Sequence, residues 1–230
     1  KNSIVGILMD SNDGDRTLTL KNVQIFNTSS TGLLARTGDI YGENVIINNS
    51  GQTSLSCSLG GRYNFIHSTF ANYWNNNFRL FPSVVIDNVL QISETEFETK
   101  DLIEANFINC IIYGNEAREL IFVEDENAAF NFNFVNSLIR FDDPSGNYSD
   151  DPNYDFSNEN LYLNIVRNQD PAFFNTNLND FNIESEVSGA DGIADPAGAA
   201  LVPFDANEVS RLVPLPDAGA YQSIIFPDEG

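Results

Sequence analysis

The side chains of this sequence that could do chemistry are few and widely spaced. Arg36, Arg79 and Arg118 lie on or beside one strand-like face. A polysaccharide lyase needs a cationic base there, plus a group that neutralises the uronate carboxylate. An oxygen-rich, turn-forming stretch holds Asp142, Asp143, Asp150, Asp151 and Asp155. Such donors suit Ca²⁺, but the spacing is not that of an EF-hand, so the stretch reads either as a solvated loop or as a calcium site. Tyr73 and Trp74, the latter the only tryptophan, sit in a bulky turn. They read either as a platform for a sugar ring or as packing against a neighbouring coil or subunit. His67 is the only histidine, and Cys57 and Cys110 are the only cysteines. Without a CxxC or a second histidine, zinc chemistry is excluded and no disulfide framework exists.

Charge narrows the partners. With 33 acidic against 11 basic residues, the formal net charge is -22 and the sequence pI about 4.1. Nucleic acid and anionic membranes are therefore disfavoured. Hydrophobic content of 42% is too high for an acidic disordered tail, so the charge decorates a folded core. No apolar run is long enough for a transmembrane helix. Lys1 is neither an initiator Met nor part of a signal peptide, so the chain is read as a mature or trimmed segment. The composition is otherwise odd in having 31 asparagines against three lysines.

A repeat accounts for part of that surplus. Strand-like runs begin at Asn22, Asn44, His67, Asn88, Asn109 and Asn136, at spacings of 22, 23, 21, 21 and 27. Positions two and four before this residue are nearly all apolar, as in Tyr63 and Phe65 or Phe132 and Phe134. After it the apolar positions fall one and three on, as in Val45 and Ile47, so inward parity shifts by one and the chain must bend at that residue. Asparagine suits the bend because it tolerates a left-handed backbone, and its stacked amides form a ladder. His67 is read as a substituted rung rather than an acid/base group. A third strand is expected at Leu33/Ala35, Leu55/Cys57, Phe78/Leu80 and Leu120/Phe122. The two cysteines then fall on different sheets as buried free thiols.

Three strands per coil with no helical pattern predict an all-β right-handed parallel β-helix of about six coils over residues 1–141. Handedness follows from coil length and the usual crossover rule. Residues 1–17 would cap the upper end or continue from coils further upstream. Residues 142–230 read as an irregular C-terminal cap and wrap packed on the helix. Outward positions after the bend (Ile46, Ile111, Leu138) are apolar, which calls for a covering segment. On that face and on the third strand no paired carboxylates for glycoside hydrolysis are found.

The C-terminal region carries Asp170-Pro171-Ala172-Phe173-Phe174, then Asn179-Asp180-Phe181-Asn182-Ile183, then Pro216-Asp217-Ala218-Gly219-Ala220-Tyr221. These resemble the "DPxF", "xDFxL" and "PDIGAYE" tail of secreted right-handed β-helix proteins of Bacteroidota, and Gly60–Trp74 resembles coils of the same proteins. Where that family commonly reads "SPAID", this chain has Val187-Ser188-Gly189-Ala190-Asp191. The resemblance implies an exported or surface-anchored protein with a pectate-lyase-like fold and structural tail motifs. The expectation is a non-catalytic extracellular domain that binds or scaffolds glycans or an outer-membrane partner, with no cofactor other than Ca²⁺. The alternative is a polysaccharide lyase or glycoside hydrolase using Arg36, Arg79 or Arg118 with an acidic loop.

Overall fold

The structure is a computed structural model that describes residues 3–10 and 16–227. The chain is all-β, and its main feature is a large parallel sheet curled into a half-barrel, an arrangement compatible with a parallel β-helix. Its strands stack in register. Ile40, Tyr63, Ala105 and Phe132 align before the bend, and Ile46, Thr69, Ile111, Leu138 and Val166 after it. A third line of strands aligns Ile7, Leu33, Leu55, Val84 and Leu120.

Bends between the first two lines fall where the alternation changes parity. Asn22, Asn44, His67, Asn109, Asn136 and Asn164 all have φ between 47° and 55°. That region is costly for most residues, and asparagine is among the least penalised. Their side chains join successive rungs. Asn44 Nδ2 donates to Asn22 Oδ1 (2.8 Å), Asn164 Nδ2 donates to Asn136 Oδ1 (3.3 Å), and Asn109 Nδ2 lies 2.9 Å from His67 Nε2. In the neutral ring with its proton on Nδ1, that nitrogen accepts.

One stretch departs from the expected register. Val84 and Ile86 pair with Leu55 and Cys57, so they belong to the third line of strands and not to the line before a bend. Phe78 and Leu80, expected inward there, are 93% and 87% exposed in the connection that precedes it. Asn88 does not bend the chain. It opens an antiparallel hairpin, Val89–Gln91 with Phe97–Thr99, and its amide instead pins the loop at Asp125 and Ala128. The passage from His67 to Asn109 is thus one long turn of 42 residues, where two of 21 were expected. An Asn followed by an apolar pair opens a hairpin as readily as a bend, so the local pattern could not separate them.

The parallel pairing also continues beyond Phe141. Tyr162–Leu163 joins Phe134–Val135, and Val166–Arg167 joins Leu138–Ile139. Inside, aromatic rings stack along one line: Phe65 on Phe107 (5.5 Å), Phe107 on Phe134 (4.8 Å) and Phe134 on Tyr162 (5.7 Å). Gly42 begins this line because a Cβ there would strike the Phe65 ring.

From Asp170 onward the chain crosses the outside of the strands after the bend. Phe181, Ile183, Ala190, Ala218, Ala220 and Tyr221 pack on Ile46, Ala71, Ile111, Tyr113 and Leu138, covering the apolar outward face. Gly219 (φ 90°) makes the close approach, since a Cβ would lie 2.5 Å from Ile111 Cδ1. The wrap also bonds the bends. Asp195 N donates to Asn109 Oδ1 (2.7 Å), Asn109 Nδ2 donates to Asp195 O (3.0 Å), and Asn136 Nδ2 donates to Ile193 O (2.7 Å).

Asn109→Ala removes the amide that joins the bend to the wrap, leaving the half-buried N–H and C=O of Asp195 and the buried His67 Nε2 unpaired. It is expected to lose about 2–4 kcal/mol by urea denaturation, with the far-UV spectrum retained. A loss under about 0.5 kcal/mol would refute a supporting role for the ladder.

Candidate functional site

The three arginines do not converge. Arg36 pairs with Asp10 (3.0 Å), Arg118 with Asp143 (3.5 Å) while lying over the Tyr148 ring, and Arg79 with Glu119 (2.6 Å). Arg79, expected on or beside an outer strand face, is buried together with its partner: their side chains are 1% and 0% exposed. Arg79 also donates to Phe81 O, Asn72 O and Asn115 Oδ1. Glu119 accepts from the backbone N–H groups of Ser83 and Glu116. This pair fastens the 73–83 connection to the sheet, and a base so enclosed reaches no polymer.

The acidic stretch turns its carboxylates onto its own backbone. Asp143 accepts from Tyr148 N, Asp151 from Asn153 N, and Asp155 from Ser157 N and Oγ. Asp142 and Asp150 are exposed. Among the described residues no group of three or more His, Cys, Asp or Glu is placed to hold a metal ion. Tyr73 is held edge-on to Phe173 (6.1 Å) beneath the wrap, so its ring belongs to the packing. Trp74 is half-buried beside a separate cleft. Cys57 and Cys110 are free and buried, and burial pushes the Cys110 thiol up to about 12.

The strands before the bend present the outer face that the wrap leaves open, and there the sequence reading missed a constellation. Five residues before successive bends stand Asp39, Arg62 and Glu104, and three before stand Tyr41, Asn64 and Asn106. Pairing of Asp39 with Arg62, and of Arg62 with Glu104, makes them neighbours along the stack. Arg62 Nη1 lies 2.8 Å from Glu104 Oε1, and Arg62 Nε is 4.0 Å from Asp39 Oδ2. Asn64 Nδ2 donates to Glu104 Oε1 (3.0 Å), while Asn106 Nδ2 donates to Glu104 Oε2 (3.2 Å) and Asn64 Oδ1 (2.7 Å). The Asn64 hydrogen bond, with the Arg62 guanidinium, holds the Glu104 carboxyl below the usual range. A cleft of about 630 Å³ opens at the edge of this face, with Asp39, Arg62, Lys100 and Asp101 among its walls. The −3 and −5 positions carry this signal in the sequence, but the turn of doubled length puts Glu104 next to Arg62, and that adjacency cannot be counted from a regular repeat.

A second polar cluster lies buried beneath the wrap. Arg211, fully buried, donates through Nη2 to Asn44 Oδ1 (2.8 Å) and Gly219 O (3.0 Å). Burial lowers its guanidinium to about 10, against the opposing charges of Asp205 and Asp217. Those carboxylates accept backbone N–H groups of the wrap: Asp205 from Asn207, Val209 and Gln222, and Asp217 from Gly192 and Ser223. His67 lies in the same environment. Burial, reinforced by the Arg211 charge, takes its pKa well below the ordinary value. This cluster is closed to solvent and cements the fold.

Compared with known proteins, the chain matches no family model, no curated protein and no solved structure. No helix among the described residues is long and apolar enough to cross a membrane.

Two outcomes follow from these geometries. The melting temperature is expected to be unchanged by EDTA and by millimolar Ca²⁺, because a ligand bound to the native state alone would raise it. His67 binds its proton more weakly folded than unfolded, so its contribution to stability is present above the unfolded value of about pH 6.5 and is lost progressively as pH falls from there toward the lowered folded value. His67→Asn is therefore expected to match the parent at pH 8 and exceed it at pH 5 in urea midpoint. Parallel pH curves for the two proteins would contradict this.

Proposed function

We propose that this chain is a non-catalytic, extracellular right-handed β-helix domain of a secreted or surface protein, binding or scaffolding neutral glycans on its uncovered polar face. The reading includes right-handedness, which rests on the crossover preference of parallel strands, and about six coils, counted from the left-handed bends with Asn164 in place of the run expected at Asn88. The resemblance of the tail to secreted Bacteroidota proteins supports export and a position on the cell surface.

The observation that carries the function is the Asp39–Arg62–Glu104 row with its flanking Asn64 and Asn106. Fixed planar amides, a guanidinium and carboxylates on adjacent strands are the groups that meet sugar hydroxyls by paired hydrogen bonds. The same row argues against hydrolysis. Asp39 and Glu104 stand two strand spacings apart, about 9.6 Å, which approaches the separation used by inverting glycosidases. A general acid, however, needs a raised pKa, and Glu104 is lowered. Arg62 fills the space between the carboxylates. Net charge of -22 repels polyuronates at long range, which favours uncharged ligands over lyase substrates.

Calorimetry against a panel of neutral and uronate oligosaccharides tests this reading. Binding of a neutral oligosaccharide is expected, weakened about ten-fold or more by Arg62→Ala, with no ultraviolet-absorbing unsaturated ends released from uronate polymers. Release of such ends would establish the lyase alternative, and absence of binding by every glycan would remove the reading.

A further inference from the structure

A second cleft, of about 520 Å³, lies between the strand Ser3–Met9, the corner at Asn27 and Asn49, and the turn holding Trp74. None of its lining residues is charged, which is unusual in a chain of this net charge. Trp74 forms one wall. Gly51 packs beside it: a Cβ there would lie 2.3 Å from Ser29 O and 3.3 Å from the indole Cζ2, so glycine lets the corner and the ring sit close. Apart from Ile4, the rest of the lining is amides and hydroxyls. Asn27 and Asn49 both take left-handed backbone (φ 61° and 56°), and Asn49 Nδ2 donates to Asn27 Oδ1 at 2.6 Å. Asn49 Oδ1 and Ser3 Oγ, on residues that line the cleft, are buried without a partner. Buried polar atoms are seldom left unpaired without cause.

We propose that this cleft is a binding site for a single pyranose unit of a neutral glycan, stacked on Trp74 with its hydroxyls meeting the Asn76, Asn49 and Ser3 side chains, the enclosed Asn49 Oδ1 and Ser3 Oγ turning outward to receive them. An aromatic face and uncharged hydrogen-bonding groups converge in a volume suited to a small ligand, and each matches one side of a sugar. Lack of charge excludes uronates and phosphosugars as the preferred class. The site rests on the glycan reading above but lies apart from the Arg62 face, so the two separate by experiment.

Trp74, the only tryptophan, reports its own occupancy by fluorescence. The full chain is titrated with maltotriose, cellotriose, xylotriose and mannotriose, following emission and calorimetric heat together, with Arg62→Ala and Asn49→Ala as variants. The expected result is a saturable emission change with at least one trisaccharide, retained in Arg62→Ala and at least ten-fold weaker in Asn49→Ala. Heat without an emission change would overturn the Trp74 site while leaving the glycan reading intact. An emission change abolished by Arg62→Ala would also overturn it, since the indole would then report the distant face. Neither heat nor emission change with any of the four would remove both. Because Asn49→Ala can disturb the corner, Trp74→Phe provides the second variant. It keeps a ring and must retain heat with a weakened dissociation constant; unchanged affinity would again refute stacking.

Discussion

The architecture depends on one backbone constraint: once per turn the chain must pass through a left-handed residue so that inward parity can shift between two strands. Asparagine meets it at Asn22, Asn44, Asn109, Asn136 and Asn164, and His67 takes the same conformation at the one exception. A left-handed residue with a short amide does two things at once. It turns the corner, and its side chain bonds the neighbouring corner or the segment outside it. Register across the sheet is therefore set at the corners and transmitted inward to the aromatic stack from Phe65 to Tyr162.

The outer surfaces are divided by what covers them. Strands after the bend are apolar outside and lie under the C-terminal wrap, which is anchored by Arg211, Asp205, Asp217 and Gln222 in a closed polar cluster. A buried guanidinium is costly unless its donors are used; here Nη1 and Nη2 reach Gln222, Asn44 and Gly219, while Nε is left without a partner. Strands before the bend are polar outside and stay open. Their rigidity comes from being one face of a sheet whose other face is packed, so Arg62, Asn64 and Glu104 hold fixed positions without a loop to position them.

Much of this was legible in the residues. Parity change at Asn44 and Asn109 implied a bend, and apolar Ile46, Ile111 and Leu138 pointing outward implied a cover. What could not be read was length. A hairpin between Val89 and Thr99 imitates the alternation of a coil, which placed Val84 and Ile86 in the wrong line of strands and hid the contact between Arg62 and Glu104. The burial of Arg79 was hidden for a different reason: its partner Glu119 is 40 residues away, and nothing local marks it as buried. Acid-rich loops drew attention as metal sites, yet their carboxylates close tight turns around Asp143, Asp151 and Asp155, as short acidic side chains do when backbone N–H groups lie within reach.

Stacked-repeat proteins ordinarily behave as one-dimensional chains of neighbours, able to nucleate anywhere and to fray from an end. The wrap changes that connectivity. Tyr221 is bonded to Gln24 and Arg211 to Asn44, across separations of 197 and 167 residues. An end-to-end tie of this kind couples the first turns to the last and carries a large loop-closure entropy. During synthesis the early turns emerge with their outer apolar face bare, and it is closed only when the segment from Phe181 to Tyr221 packs on it. Folding is thereby made a late, cooperative event, and the domain is built to unfold as a unit instead of peeling turn by turn.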